Sequence, residues 1–271
     1  MTNEAAIGIF DSGVGGLTVA RAVLNVLPRE EIRYVGDTAH TPYGEKELET
    51  VRGYSLSIMD SLVESGVKML VIACNTASCA VLDQARIRYQ EEQGIPVVEV
   101  VQPAVEHAVT RSRNGKIGVI GTRATIDSGV YQRKLSKMGA EVFTQACPRF
   151  VEFAEEGITA SQELFDVTEE YLTPLKEAGV DTLVLGCTHY PLLEGPISYF
   201  MGENVSLISS SSSVARKVYG ELVEAKMLRP FGAQKADHRF ICTETKESFI
   251  ALASRIMGAN FNGIKEEEIT K

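Results

Sequence analysis

Two cysteines, Cys74 and Cys187, each directly follow a short apolar run and precede two polar residues. The runs predict buried strands and the segments that follow have a helical pattern, so each thiol is expected between a strand and a helix. Backbone N–H groups and the helix dipole favour an anion at such a position. A free cysteine has a pKa of about 8.5, so a modest stabilisation of the thiolate gives a usable base near neutral pH.

Two such thiols in one cleft suit the inversion of a carbon centre. One group removes a proton from one face of the carbon while the other delivers a proton to the opposite face. A symmetric pair fits a reaction whose substrate and product are mirror images. A redox disulfide is the competing use of the same pair, but it requires sulfurs close enough to bond, with no substrate between them.

Asp11, His189 and Glu152 are the other candidates for handling protons. Asp11 ends the first predicted strand, where its carboxylate would either steer a proton near Cys74 or cap the following helix. His189 lies two residues after Cys187, where it would hold a proton, stabilise the thiolate or serve only as a hydrogen-bonded loop histidine. From the residues alone, Glu152 is typical of a surface position on a helix.

Small polar side chains occupy the predicted strand-to-helix loops. Uncharged donors there suit the binding of a carboxylate and an ammonium group, although helix capping explains any one of them equally well. These residues are Ser12, Asn75, Thr76, Thr122, Thr125 and Thr188. The segment formed by Thr41, Pro42, Tyr43 and Gly44 adds backbone amides that a ligand could reach, although most such segments are only turns.

Short β-branched runs alternate with amphipathic stretches along the chain, which is the pattern of parallel strands joined by helices. The predicted fold class is therefore α/β. Residues 51–63 illustrate a helical stretch, in which apolar residues at near-helical spacing alternate with polar ones up to a stop signal at Gly66. The predicted strands are residues 7–10, 33–35, 69–73, 97–101, 117–120, 141–144, 182–186, 205–208 and 239–242.

The chain also contains a weak internal repeat. Residues 67–76, which include the first cysteine motif, align without gaps on residues 180–189, an offset of 113 positions. Independently, residues 7–12 align on residues 117–122 at an offset of 110. Two pairs at nearly the same offset predict two related, pseudo-symmetric lobes, each with a mostly parallel sheet flanked by helices.

These lobes place the two cysteines opposite each other. We assign residues 1–97 and 208–271 to the first lobe and residues 98–207 to the second. Parallel α/β sheets collect their ligand-binding residues at the carboxyl ends of the strands. Cys74 and Cys187 are therefore expected to face one cleft between the lobes.

The composition restricts the class of protein. With 271 residues, 44% of them hydrophobic, the chain can bury one large core or two modest ones. Acidic residues outnumber basic ones by 36 to 27 and no Lys/Arg block occurs, so nucleic acid is not expected as the primary ligand. There is no signal sequence and no apolar run near the ~20 residues that a bilayer requires, so we expect a cytoplasmic protein without a membrane partner.

The five cysteines are expected to be free thiols. Their odd number, in a chain without an export signal, argues against a disulfide framework. A zinc site at Cys187 and His189 would need ligands from elsewhere, so no metal is predicted. Cys79, Cys147 and Cys242 are interpreted as small buried apolar residues.

The motifs around these candidates resemble those of glutamate racemases. They are Asp11-Ser12-Gly13-Val14-Gly15-Gly16-Leu17-Thr18, Pro42-Tyr43-Gly44, Ala73-Cys74-Asn75-Thr76-Ala77 and Gly186-Cys187-Thr188-His189-Tyr190-Pro191-Leu192. The four motifs match in order over nearly the whole chain. The resemblance implies a pair of α/β lobes with the site between them. It also implies a reaction that uses no pyridoxal phosphate, no metal and no other cofactor.

The resemblance also implies a role for each candidate residue. Cys74 and Cys187 would be the acid/base pair, with Cys74 facing D-glutamate and Cys187 facing L-glutamate. Asp11 would assist on the Cys74 side, and His189 with Glu152 on the Cys187 side. The implied substrate contacts are Ser12, Pro42, Tyr43, Gly44, Asn75, Thr76, Thr122, Thr125 and Thr188. Members of the family supply D-glutamate for peptidoglycan, commonly as homodimers, and both properties are expected here.

Other functions remain open at this point. A racemase for aspartate or another acidic amino acid would use the same pair, because the cysteines specify the reaction and not the length of the substrate side chain. A thiol-redox or redox-sensing protein would use Cys74 and Cys187 as a disulfide. A purely binding role is disfavoured because both cysteines and Asp11 are retained.

Overall fold

Ten strands form two parallel sheets in the residues that the computed structural model describes, which are 3–245, 247–258, 261, 263 and 265–267. The strands are β1 (Ile7–Asp11), β2 (Ile32–Gly36), β3 (Met69–Ile72), β4 (Val97–Glu99), β5 (Lys116–Gly121), β6 (Glu141–Ala146), β7 (Thr182–Gly186), β8 (Ser206–Ser209), β9 (Arg239–Cys242) and β10 (Lys265–Glu266). The first sheet has the order β10-β9-β2-β1-β3-β4, and the second has the order β6-β5-β7-β8. The fold is therefore α/β, with two sheets.

Helices connect the successive strands, as parallel pairing requires. They are α1 (Leu17–Val26), α2 (Leu48–Glu64), α3 (Asn75–Ala85), α4 (Val101–Arg111), α5 (Arg123–Asp127), α6 (Val130–Lys137), α7 (Arg149–Glu156), α8 (Gln162–Glu177), α9 (Glu194–Met201), α10 (Ser210–Glu224) and α11 (Glu247–Met257). Short turns of 3-10 type at Tyr43–Glu45 and Tyr190–Leu193, and a π-helical turn at Arg86–Glu91, complete the connections. Among the described residues, no helix combines the length and the apolar character needed to cross a membrane.

Three apolar clusters hold the layers together. One lies between the first sheet and helices α2 and α3, and includes Phe10 and Leu70. A second packs α7, α8 and α9 on one face of the second sheet and includes Leu183. The largest contains Ile9 of β1, residues of α1, α4 and α10, and Val184 of β7. Because this shared cluster contacts strands of both sheets, it fixes the sheets relative to each other.

All nine predicted strands are confirmed, with their ends within two residues of the prediction. The clearest correction is at β4, where Val100 and Val101 are predicted as strand but the chain leaves the sheet after Glu99. The Glu99 carboxylate accepts the N–H groups of Val101 and Gln102 and so caps α4. The sequence does not predict strand β10, because its two residues are charged and exposed.

One sheet is formed by a continuous stretch of the chain, and the other by two separate stretches. The second sheet uses the continuous stretch 116–209, whereas the first combines β1 to β4 with β9 and β10, which follow it in the chain. Lobe boundaries at residues 98 and 208 would cut β4 and β8. We therefore propose that the boundaries lie just after Glu99 and Ser209, at the starts of α4 and α10.

Candidate active site

The carboxyl ends of the central strands of both sheets open into one cavity of about 520 Å³. Its walls come from the segments after β3 and β7, which carry two cysteines, and from the loops after β2 and β5 and helix α7. The lining residues are Thr41, Pro42, Gly44, Glu45, Cys74, Asn75, Thr76, Thr122, Arg123, Pro148, Val151, Glu152, Glu155, Cys187, Thr188 and His189. Cys74 and Cys187 therefore share one cavity, each from a different sheet.

Four of the predicted site residues lie behind this lining rather than in it: Asp11, Ser12, Tyr43 and Thr125. The side chains of Asp11 and Thr125 are fully buried. Each of the four contacts a residue of the cavity wall or the segment that carries it, as described below. Their position suits support of the site more than direct contact with a ligand.

Cys74 lies at the start of α3, where its sulfur caps the helix. The Ala77 N–H donates to Sγ at 3.4 Å, and Sγ lies 3.6 Å from Ser12 Oγ. Burial and the neighbouring Asp11 carboxylate raise the pKa of the Cys74 thiol to about 12, against smaller opposite effects of the Ala77 N–H and Ser12. Cys74 is therefore protonated at neutral pH, and in this state it is a proton donor.

Asp11 lies beneath the cavity at the end of β1. Its Oδ2 accepts the N–H groups of Gly13 at 3.1 Å and Gly16 at 2.9 Å, so the carboxylate holds the loop that leads into α1. Its Oδ1 accepts a hydrogen bond of 3.5 Å from Thr188 Oγ1, on the segment that follows β7. Burial raises the pKa of Asp11, while the charge of His189 and the N–H groups lower it. Asp11 thus caps the loop and places negative charge next to the first thiol.

Cys187 follows β7 and pairs with His189. The Cys187 Sγ lies 3.7 Å from His189 Nδ1, and His189 Nε2 lies 3.3 Å from Glu155 Oε1. Burial lowers the pKa of His189, but the contacts with Cys187 and Glu155 outweigh burial and raise the pKa to about 10. His189 is therefore a buried cation at neutral pH, and it can balance the negative charge of a thiolate at Cys187.

The two thiols are held in different ways. Cys74 directly precedes α3, whereas Cys187 is followed by the turn Tyr190–Leu193 and only then by α9. Pro191 lies at the start of that turn and has no N–H to offer an anion. Each thiol lies between a strand and a helix, as predicted, but only Cys74 directly precedes its helix, and at Cys187 a histidine supplies the positive charge instead.

The carboxylate in contact with His189 belongs to Glu155 and not to Glu152. Both residues lie on α7 and line the cavity. Glu152 is exposed, whereas the Glu155 side chain is 29% exposed and forms the ion pair. Residues three positions apart share one face of a helix, so the sequence pattern does not decide which turn reaches the histidine. The structure supplies that information, and it places Glu155 rather than Glu152 beside His189.

These two glutamates provide a matched test. The Glu155→Gln variant is expected to lower kcat about tenfold, the effect of roughly 1.4 kcal/mol of lost charge stabilisation at His189. The Glu152→Gln variant, with the same chemical change one turn away, is expected to keep kcat within about twofold of the wild type. Steady-state kinetics of both purified variants checks this, and a larger loss for Glu152→Gln would reverse the assignment.

A group of threonine hydroxyls joins the two sheets across the cavity. Thr76 Oγ1, at the start of α3, lies 3.0 Å from Thr122 Oγ1 and 3.2 Å from Thr125 Oγ1. Thr122 also caps α5 by accepting the Thr125 N–H at 3.2 Å. Gly44 packs on the same point, since a Cβ added at Gly44 would lie 2.7 Å from Thr122 Cβ. Uncharged donors from both sheets therefore meet at the wall of one cavity.

Tyr43 does not present its side chain to the cavity. Its ring is buried, and its hydroxyl donates to Asp37 Oδ2 at 2.5 Å. Asp37 also contacts His40 Nδ1 at 2.8 Å and accepts from Thr243 Oγ1 at 3.0 Å, so its carboxylate holds the 41–44 segment from behind. Any contact of Tyr43 with a ligand is therefore limited to its backbone, and the residues on either side line the cavity instead.

A side chain at Gly15 would displace His189, which lies beside the Cys187 thiol. A Cβ at Gly15 would lie 2.6 Å from both His189 Cε1 and Thr188 Oγ1. The Gly15→Ala variant is therefore expected to lower kcat/KM by about 10- to 100-fold, because the added methyl group would displace His189 from its place beside Cys187.

The matched control is Gly53→Ala in α2, where an added Cβ meets nothing within 4 Å. It is expected to leave kcat/KM unchanged and to raise the free energy of unfolding by about 0.5–1 kcal/mol, because alanine is the better helix former. Equal kinetics for the two alanine variants would show that His189 has no tight steric constraint from the glycine loop.

Comparison with known proteins identifies a family and close relatives in sequence. Residues 16–226 match the sequence family described as Asp/Glu/hydantoin racemase. The glutamate racemase of Beutenbergia cavernae is 53% identical over 273 residues, covering 97% of this chain and 93% of that protein.

Two solved structures are similar over almost their full lengths. A glutamate racemase isoform of Bacillus anthracis has a TM-score of 0.90 and 36% identity, covering 98% of this chain and 97% of that one. The glutamate racemase of Francisella tularensis, solved in complex with D-glutamate, has a TM-score of 0.90 and 30% identity, covering 98% of each chain. The chain therefore belongs to the Asp/Glu/hydantoin racemase family and is an amino-acid racemase.

Proposed function

We propose that this chain interconverts L- and D-glutamate by a cofactor-independent mechanism in which Cys74 and Cys187 exchange protons with opposite faces of the α-carbon. The observation that carries the proposal is that the two thiols line one cavity from two different sheets. The choice of glutamate is supported by relatives at 53% identity that are glutamate racemases. All five cysteines are free thiols in the structure, which favours this use of the pair over a disulfide.

The reaction from L- to D-glutamate needs one thiolate and one thiol. The Cys187 thiolate takes the α-proton of L-glutamate and becomes a thiol, leaving a carbanion at the α-carbon. The Cys74 thiol then gives its proton to the opposite face and becomes a thiolate, so that protons and charge balance. The reverse reaction begins with the two roles exchanged.

The charges around the site favour one resting arrangement of protons. Asp11 lies near Cys74 and raises the pKa of that thiol, whereas His189 is a cation beside Cys187. The resting proton therefore stays on Cys74, and the His189 cation lies where it can stabilise a thiolate at Cys187. The form with a Cys187 thiolate and a Cys74 thiol accepts L-glutamate. Loss of the Cys74 proton to solvent and gain of a proton by Cys187 convert it to the form that accepts D-glutamate.

We propose that uncharged groups bind the amino acid between the thiols. Asn75 and Thr76 line the cavity beside Cys74, and Thr188 lines it beside Cys187. Their amide and hydroxyl groups suit the α-carboxylate and ammonium groups, because hydrogen-bond donors in a closed site substitute for water. The Pro42 and Gly44 backbone and Thr122 complete the wall, with Ser12, Tyr43 and Thr125 in support.

The proposed biological role is the supply of D-glutamate for peptidoglycan in the cytoplasm, by an enzyme that acts as a homodimer. The resemblance to glutamate racemases supports both the role and the location. Analytical ultracentrifugation of the purified chain tests this proposal. A homodimer is expected to have twice the 29.5 kDa mass of one chain.

Racemisation in D2O tests the mechanism of the wild-type enzyme. The thiol that removes the proton keeps it, while the opposite thiol delivers a deuteron acquired from solvent. At low conversion, we expect deuterium at the α-carbon of the product enantiomer and hydrogen at that of the recovered substrate, for either starting enantiomer. Deuterium in equal amounts in both pools from the start would indicate a single base and contradict the proposal.

A further inference from the structure

Tyr131 connects the two chain segments that carry the thiols. It lies on α6, its side chain is fully buried, and its hydroxyl donates to Asn75 Oδ1 at 2.7 Å. Its ring lies against Gly186, since a Cβ added at that glycine would lie 3.3 Å from Tyr131 Cε2. Asn75 directly follows Cys74, and Gly186 directly precedes Cys187. The Tyr131 ring thus packs against the residue before Cys187, and its hydroxyl forms a hydrogen bond with the residue after Cys74.

The hydrogen bond from Tyr131 determines how Asn75 presents its amide. Burial keeps the pKa of the Tyr131 phenol well above its usual value, so the hydroxyl remains protonated and donates. With Oδ1 occupied by this donor, the Asn75 amide directs its Nδ2 donors elsewhere, one of them towards Ser210 Oγ at 3.5 Å. Asn75 lines the cavity, and its second N–H is left available to an anionic group there. A rotated amide would instead offer a carbonyl oxygen and repel a carboxylate.

We propose that Tyr131 is a positioning residue for racemisation: it fixes the Asn75 amide so that the amide donates to a carboxylate of the substrate. The proposal rests on the proposed function, because it assigns Asn75 to the amino acid held between the thiols. Tyr131 itself does not line the cavity. Its effect on the reaction therefore passes through Asn75.

Removal of the hydroxyl alone tests the proposal. The Tyr131→Phe variant keeps the ring against Gly186 and loses only the hydrogen bond. We expect KM for both glutamate enantiomers to rise about five- to tenfold, the cost of one buried hydrogen bond, with kcat within about twofold of the wild type. A KM within twofold of the wild type, or a loss confined to kcat, would overturn the proposal.

The Tyr89→Phe variant is the matched control for a merely structural loss. Tyr89 is also fully buried, and its hydroxyl donates to Leu56 O at 3.2 Å and Asp60 Oδ1 at 2.8 Å, away from the cavity. We expect its Tm to fall at least as much as that of Tyr131→Phe while KM stays unchanged. A similar rise of KM in the control would show that the effect reports stability and would overturn the proposal.

A double-mutant cycle shows whether Tyr131 acts through Asn75. In an Asn75→Ala background, removal of the Tyr131 hydroxyl is expected to change kcat/KM by less than twofold, because the group that it orients is gone. An undiminished effect in that background would overturn the proposal. These measurements do not depend on which groups move the proton. Failure of the two-thiol mechanism would appear separately, as racemisation that survives substitution of Cys74 or Cys187.

Discussion

Replacing Cys187 by alanine is expected to lower kcat for glutamate racemisation by about 10²- to 10⁴-fold, and replacing Cys74 is expected to do the same. Each substitution removes one of the two groups that transfer protons, and such groups contribute about 10²–10⁴-fold to rates. Both thiols are nearly fully buried in the cavity wall, so the space left by the sulfur offers no positioned replacement. Circular dichroism of the glutamate solution over time measures the loss.

The loss must affect both directions of the reaction. Enantiomers have equal free energies in water, so the equilibrium constant is one and kcat/KM is equal in both directions for every variant. A variant that lacks only one thiol therefore cannot be selectively active towards one enantiomer in racemisation. A selective defect appears only in a half-reaction, such as exchange of the α-proton with solvent.

Cys79→Ala is the matched control for these variants. Cys79 lies on α3, five residues after Cys74, and it does not line the cavity. Its replacement removes a thiol from the same helix and is expected to leave kcat within about twofold of the wild type. If racemisation survived in Cys74→Ala or Cys187→Ala at a rate like that of Cys79→Ala, the proposed chemistry would be excluded.

Replacing His189 by glutamine is expected to lower kcat about 10²-fold. His189 is a buried cation that lies 3.7 Å from the Cys187 sulfur, and glutamine has a similar reach without the charge. Without that charge, a buried thiolate at Cys187 has no compensating cation, and burial then favours the neutral thiol. Steady-state kinetics at neutral pH measures the effect. A kcat near that of the wild type would show that the thiolate does not depend on the imidazolium.

The same substitution is expected to change how stability depends on pH. The folded pKa of His189, about 10, lies above its usual value of 6.5, so the charged form stabilises the folded state. This contribution is fully present below pH 6.5 and is lost as the pH rises through about 10. Between pH 7 and pH 10.5, denaturant unfolding should show the wild type losing roughly 4 kcal/mol more than His189→Gln. Parallel losses in the two proteins would contradict the raised pKa.

The strands could be predicted from the sequence because their environment leaves a direct pattern. Strands covered by helices on both faces are continuously apolar. Strand β7 is buried at every residue, and its predicted bounds are the same as the observed ones. The end of β4 could not be predicted in this way. Val100 and Val101 continue the apolar run, and the strand ends only because the Glu99 side chain turns back to cap α4.

The two thiols could also be predicted, because the repeat places each of them at the end of an equivalent strand. Their partners are harder to predict, since they come from distant parts of the chain. Glu155 reaches His189 from α7, and no local pattern separates it from Glu152. Tyr131 has no signal in the sequence at all, because its significance depends on contacts with residues 56 positions before it and 55 after it. The spacing of motifs in the sequence identifies residues at the ends of strands. The residues that contact and support them are identified only by the tertiary structure.

Exchange of the α-proton with D2O in the two cysteine variants tests the central claim most directly. The account predicts that Cys74→Ala, which retains Cys187, exchanges the α-proton of L-glutamate only. Cys187→Ala is expected to exchange that of D-glutamate only and more slowly, because burial and Asp11 raise the pKa of its remaining thiol. Mass spectrometry after chiral separation gives the answer. Exchange of both enantiomers by either variant would mean that the thiols do not face opposite sides of one carbon.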